Sequence, residues 1–257
     1  MILWRWLPFF LLLSTAGYSQ AKQEREIRRL GLIHTIENAT DFELIFTDQG
    51  SRGTLVAQGR KQGIESLKTE VEHGVLKISQ QSPENRLPKL PFFNAQLIVR
   101  EPLKVVISCP DLKKYKTSGS GSTVLLGQRF QHLDIESNGA GIIHISRCRM
   151  YSLEAKLQGS GQIVFEQSDT VDAKFHLEGD GQIHAHDLQS KNAQAQIFGK
   201  GMISTWPRNF LDGKVIGEGK LQYRGIPSNI KSETKLGGVI EKYFPSSPSE
   251  SPEKSQP

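Results

Sequence analysis

Cysteine is scarce in this sequence: Cys109 and Cys148 are the whole complement among 257 residues. They allow at most one disulfide, so cross-links cannot be the framework of the fold. Clustered basic charge is missing as well. Formal net charge is +5, but Lys and Arg are scattered rather than gathered into a stripe, which argues against a nucleic-acid partner. No segment holds a helical hydrophobic period over a useful length. No second apolar run follows the N-terminal one, so no stable membrane span is expected in the mature chain. A Ser/His/Asp constellation, a supported Cys-His pair and an H-E-x-x-H helix are all missing, and with them the usual signatures of hydrolases. No cofactor is expected. Hydrophobic residues make up 37% of the chain and mean hydropathy is −0.40, which together suit a soluble protein with a modest core.

Residues 1–19 read as a signal peptide. Arg5 supplies the positive start, Leu7 to Leu13 a short apolar stretch, and Gly17 and Ser19 the small residues wanted before cleavage. The apolar stretch is well short of the ~20 residues that span a bilayer. Cleavage would leave 31 − 27 = +4 on the mature chain. The expected destination is the periplasm, the cell surface or the medium.

Residues 20–112 read as an irregular β region. Phe42, Leu44 and Phe46 alternate with polar neighbours, as do Val105 and Ile107. Val71, Val75, Leu76 and Ile78 bracket a turn at His73-Gly74. Leu97 and Val99 alternate again, and Ser82 to Phe93, with three prolines, reads as a surface loop.

Glycine, by contrast, is plentiful and ordered. Gly-x-Gly occurs at Gly119/Gly121, Gly139/Gly141, Gly159/Gly161, Gly179/Gly181 and Gly199/Gly201, a period of 20 residues. Gly217/Gly219 follows after 18. Self-similarity at such a period signals a solenoid. The flanking side chains repeat too. Leu133 and Ile135, Leu153 and Ala155, Ala173 and Phe175, and Ala193 and Ala195 precede successive pairs at fixed offsets. Ile143, Ile163, Ile183, Ile203 and Leu221 follow them. Each repeat is thus two short strands of period 2 joined by a bend that needs positive φ or close backbone approach. Twenty residues are too few for a helix, a strand and two loops. The expected fold is all-β: a right-handed parallel β-helix over residues 113–244, preceded by the irregular N-terminal β region. Residues 245–257, rich in Ser, Pro and Glu, read as a disordered tail. A phosphate-binding use of Gly-x-Gly does not fit, since no helix follows any pair.

These features together resemble the family of the putative auto-transporter adhesin head GIN domain, a domain of unknown function. The resemblance is carried by Asp41-Phe42-Glu43-Leu44, Val71 to Ile78, Pro110-Asp111-Leu112 running into Ser118-Gly119-Ser120-Gly121, and Gly217 to Pro227. It spans about Ile27 to Ile240. It implies an exported β-solenoid and transfers no catalytic residues. The 14 residues after Tyr243 leave no length for a membrane barrel on this chain.

Several residues invite a chemical reading. Asp134 and Glu154 take the same outward position on adjacent coils, where carboxylates ~5 Å apart would match a retaining glycosidase pair. The same positions also read as a charge ladder, with Glu136 facing Lys156 and Glu154 facing Lys174. His184 and His186 share a strand face beside Asp187, with His144 two coils back and Glu166 on the adjacent rung, which could suit a metal or a solvated surface. Trp206 could stack on a sugar or plug the corner where the repeat loses two residues. Asn38-Ala39-Thr40 is a glycosylation sequon in form. Running the 20-residue frame back to residue 93 would set Cys109 and Cys148 ~9–10 Å apart, beyond disulfide reach, so free thiols are expected. The reading that results is a non-catalytic exported binding or structural module. Asp134, Glu154, His184, His186 and Trp206 are its candidate ligand-facing residues, and glycans or envelope proteins its partners. The competing class is a polysaccharide lyase or hydrolase on a β-helix.

Overall fold

The computed structural model describes residues 23–81 and 102–243. The leader, the proline-containing loop from Ser82 to Phe93, Leu97 with Val99, and the tail at 245–257 lie outside the described residues.

The repeat lays strands down in two stacks. Before each Gly-x-Gly come β8 (Lys114–Thr117), β10 (Arg129–Ser137), β12 (Arg149–Gln158) and β14 (Ser168–Gly179). After each come β9 (Ser122–Leu126), β11 (Ile142–Ser146) and β13 (Gln162–Glu166). In β15 (Gln182–Gly199) and β16 (Met202–Ile216) the second strand of one turn runs on into the first strand of the next. β17 (Lys220–Tyr223), β18 (Asn229–Lys235) and β19 (Val239–Lys242) finish the coil. Every pairing along both stacks is parallel and in the register of the repeat. Leu133 lies over Leu153, Leu153 over Ala173, and Ala173 over Ala193. Ile143 lies over Ile163, Ile163 over Ile183, Ile183 over Ile203, and Ile203 over Leu221. Those side chains point inward and are fully buried or nearly so. The fold is therefore a β-solenoid, as the spacing indicates.

The glycine columns have a steric cause, and the two glycines of a pair meet it differently. At Gly199, the first of its pair, φ is +128°, and a Cβ there would sit 2.6 Å from the carbonyl oxygen of Gly179 one turn above. Rungs spaced at the strand separation of ~4.8 Å leave no room for a side chain where the backbone turns across the stack. The second glycines, Gly141, Gly161, Gly181, Gly201 and Gly219, correct the expectation that either demand might hold at any position of the bend. None of the five takes a positive φ. All five are buried, so they form the inside of the corner and present nothing to a ligand. A Cβ on any of them would come within 2.5 to 2.9 Å of a glycine carbonyl oxygen on the preceding rung. Close packing alone excludes a side chain in that column. The opposite corner turns on Arg147 and Gln167, non-glycine residues with φ of 55° and 45°. Those side chains point out and meet no rung.

The N-terminal region is more regular than its sequence suggests. β1 (Glu24–Arg29), β2 (Thr35–Ala39), β3 (Glu43–Thr47), β4 (Thr54–Gly59), α1 (Lys61–Ser66), β5 (Leu67–Glu72), β6 (Val75–Gln80) and β7 (Leu103–Ser108) occupy it. The one-and-a-half-turn helix α1 has no hydrophobic period long enough to announce it. β2 and β3 form a full rung of the solenoid. They pair in parallel with β8 and β9 on one side and with β6 and β7 on the other. The rung above β8 is thus supplied by residues 35–38, whereas a 20-residue frame run backwards would put residues 94–97 there. The chain reaches this arrangement through the stretch Cys109 to Lys113, which passes across the edge of the β2/β3 rung to start β8. Antiparallel strands then close this end. β4 pairs with β7, β1 pairs with β4, and β5 pairs with β6 through the turn at His73-Gly74. β1 carries Glu24, Arg25, Glu26, Arg28 and Arg29, the charged composition that guards an edge against further pairing.

One aliphatic core runs the length of the stack, with Tyr115, Phe46 and Phe165 as its largest fully buried side chains. Both cysteines are buried in it and free. The Cys109 thiol donates to the Ile33 carbonyl at 3.2 Å, and the Cys148 thiol lies 3.7 Å from that of Leu125. Burial pushes the Cys109 pKa up to about 11, with the nearby Asp111 adding to it. Each thiol is therefore neutral and inert in the folded protein.

Candidate binding surface

The outward positions of the first strand stack into a ladder of charge. Asp134 does lie over Glu154, Glu136 over Lys156, and Glu154 over Lys174. The carboxylates of Asp134 and Glu154 are not left to each other, however. Lys114, on the rung above, reaches Asp134 Oδ2 at 3.0 Å and Glu136 Oε1 at 2.6 Å. Lys156 holds Glu154 at 2.8 Å. A hydrogen bond from Lys114 lowers the pKa of Glu136, and one from Lys156 lowers that of Glu154. A general acid for glycoside cleavage needs a raised pKa and a site shielded from water. Glu154 has a lowered pKa on a half-open face. Lys114 and Lys116 also change the end of the ladder, which looks purely acidic from residues 134–154 alone. Lower in the stack the pattern continues with Lys231 to Asp212 at 3.5 Å and Lys214 to Glu233 at 3.4 Å.

The second group of candidates comes together at a corner. Where the repeat shortens, β15 carries His186, Asp187 and Leu188 between Ala185 and Gln189, while β16 steps directly from Thr205 to Trp206. Trp206 is accordingly half-buried. The Arg224 guanidinium lies 4.1 Å from the centroid of its ring, and Gly225 packs against its edge. Arg224 also reaches Asp187 Oδ1 at 3.4 Å. His186 sits 3.8 Å from Asp187 Oδ2, and its ring is 6.4 Å from those of both His184 and Tyr243. His184 makes a hydrogen bond with Gln182 Oε1 at 2.9 Å, and partial burial together with His186 lowers its pKa. Successive rungs thus place His186 with Asp187, then Trp206, then Arg224, then Tyr243 down one corner.

This corner gathers three of the five sequence-derived candidates, and it holds Arg224 and Tyr243, which the sequence did not single out. Their only signal was position: each follows the last residue of a strand one rung further down. Among the described residues no three His, Cys, Asp or Glu side chains converge as a metal-binding set. His144 and Glu166 do not join His184 and His186 in one. Asp134 and Glu154 stand apart on the other stack.

The sequon residue Asn38 is buried. Its Nδ2 donates toward Thr117 Oγ1 at 3.3 Å and the Tyr115 hydroxyl at 3.4 Å, and its Oδ1 accepts from the Thr40 amide at 3.0 Å. The folded protein offers that amide to no glycosylating enzyme.

The best-formed concavity among the described residues lies at the other end, between Gly31, Arg52, Gly53, Cys109 and Asp111. It holds about 10 Å³, room for about one water molecule. Among the described residues no helix is long and apolar enough to cross a membrane.

Comparison with known proteins agrees with this architecture. The model of the family described as "Putative auto-transporter adhesin, head GIN domain" matches residues 34–227. No curated protein matches the chain. Among solved structures, a putative adhesin from Bacteroides fragilis aligns with a TM-score of 0.69 at 18% identity, over 86% of this chain and 97% of that one. A protein from Parabacteroides distasonis described as a putative lipid binding protein gives 0.64 at 24% identity, over 88% and 98%. A putative adhesin from Parabacteroides merdae gives 0.63 at 15%, over 88% and 98%. At these identities the likeness is one of fold.

Proposed function

Since the chain belongs to the family of the putative auto-transporter adhesin head GIN domain, we propose that it is an exported, non-catalytic binding module that takes a glycan along the outside of its solenoid. The observation that carries this reading is the corner of His186, Asp187, Trp206, Arg224 and Tyr243. It aligns aromatic rings with charged donors and acceptors over consecutive rungs. Rings offer apolar faces to a sugar, and the Arg, Asp and His groups match its hydroxyls. A site that repeats along a stack suits an extended chain, because each rung adds a contact ~4.8 Å from the last. Small-molecule chemistry wants a dry pocket instead, and a cavity for one water is too small for a substrate. An acyl chain would likewise need an apolar slot. The leader read at residues 1–19 supports export.

The test is a glycan array probed with the purified protein, its Tyr243→Ala variant and its Arg224→Ala variant. Binding to one class of polysaccharide, weakened about tenfold or more in both variants, is expected for loss of a stacking or ionic contact. Binding that both variants retain in full would move the site elsewhere. Turnover of any polysaccharide by the wild type, abolished by Asp134→Asn with Glu154→Gln, would replace the binding module by an enzyme.

A further inference from the structure

The two ends of the solenoid are finished differently. At the N-terminal end, antiparallel strands cover the last parallel rung. At the other end, among the described residues, β18 pairs only with β16 and β19 only with β17, so the outer edges of both strands are open. The core is open there too. Ile230 continues the buried column of Leu211, yet it is 47% exposed, and Ile226, Leu236 and Val239 nearby are 84%, 78% and 44% exposed. A parallel edge with bare core residues beneath it is a template for another strand.

We infer that this edge is where two copies of the chain join, end to end, by antiparallel pairing of β18 with itself. The sequence of the strand selects the partner. β18 reads Asn-Ile-Lys-Ser-Glu-Thr-Lys from Asn229 to Lys235. Its inward column is Ile230, Ser232 and Thr234. Lys231 and Glu233 continue the outward columns of Asp212 and Lys214. Turning a second copy about a twofold axis at Ser232 pairs all seven residues and keeps each column on its own face. Ile230 then meets Thr234 of the second copy. Lys231 meets Glu233 of the second copy, and Glu233 meets its Lys231. Opposite charges directly across an antiparallel pair are favourable, and like charges are not. Centring the axis on Lys231 instead would set that lysine against itself, and centring it on Glu233 would set Lys231 against Lys235. The twofold arrangement closes on itself, because both open edges are consumed. Growth into a fibre would need the opposite end, which β1 and β5 already cover. Dimerisation of this kind is independent of the ligand proposed above and leaves the corner at Trp206 facing outward.

The charges provide the experiment. Lys231→Glu alone places glutamates opposite each other at both contacts of a dimer, and Glu233→Lys alone places lysines there. Mixing the two variants restores an opposite pair at each contact. Light scattering or sedimentation of the purified full chain should give a dimer for the wild type, a monomer for each variant, and a one-to-one dimer for the mixture. Hydrogen exchange is the second readout and needs no variant: amides of residues 229–235 should slow as wild-type concentration rises. A monomeric wild type would overturn the inference, and this includes a monomer whose edge is covered by residues 244–257. A dimer indifferent to both substitutions, a mixture of folded variants that stays monomeric, or exchange at 229–235 independent of concentration would overturn it equally.

Discussion

At the scale of the residue, the glycine columns separate two demands that sequence reading merges. Gly199 needs both its positive φ and its missing Cβ, whereas Gly159 has φ of +108° but would place a Cβ no nearer than 3.6 Å to the glycine above. Gly159→Ala therefore meets backbone strain alone, and Gly199→Ala meets strain and a backbone clash. Strain of this kind costs ~1–3 kcal/mol. Gly199→Ala is expected to lie at or beyond the upper end and Gly159→Ala toward the lower, as read by urea or thermal melts. Equal melting points for the two would show that rung spacing is not what excludes the side chain. Asn38 shows the same separation of pattern from environment. Its sequon is intact in sequence, and its amide is spent inside the core.

At the scale of the element, the ladder of the first strand tests whether surface charge here stabilises at all. Lys114 bridges two carboxylates whose side chains are only 18% and 20% exposed, so they feel its loss more than surface groups would. Lys114→Met is expected to cost up to ~1 kcal/mol at pH 7, the usual ceiling for a partly exposed pair. The sign of the pH dependence follows from Glu136, whose folded pKa lies below its ordinary 4.5. The stabilisation is present above that value and is lost as pH falls through the lower folded one. Melts of wild type and variant should differ at neutral pH and converge near pH 3; a gap that persists in acid would mean that packing of the lysine stem, rather than its charge, is responsible. The pairing behind this prediction was legible because a parallel, in-register stack turns a 20-residue spacing directly into contact. That is why Leu133 over Leu153 and Asp134 over Glu154 could be read from residue numbers. Lys114 was missed as their partner because it lies before the first Gly-x-Gly. Arg224 and Tyr243 were missed because the shortened repeat at Trp206 breaks the numbering. In the N-terminal region, Phe42, Leu44 and Phe46 announced a strand, and nothing in the sequence told which rung it would join. Parallel pairing at long range carries no local turn chemistry, unlike the hairpin at His73-Gly74.

At the scale of the whole molecule, the solenoid is close to one-dimensional, with each rung stabilised by its two neighbours. One rung departs from chain order. β2 and β3 come first among the rungs in sequence, yet they lie between β6/β7 and β8/β9. This ordering makes assembly a problem of timing. Most coils find their neighbour 20 residues away, but Asn38 and Tyr115, hydrogen-bonded in the core, are 77 residues apart. Closing the longer loop costs more entropy before any contact offsets it. A chain threaded out of the cell from its N-terminus would deliver residues 35–47 long before either of their partners existed. The segment that emerges first is therefore expected to dock last, as a latch on coils already formed downstream. Pulsed hydrogen exchange during refolding should protect amides in residues 149–199 before those in 35–47, and the reverse order would mean that the fold grows from the latch.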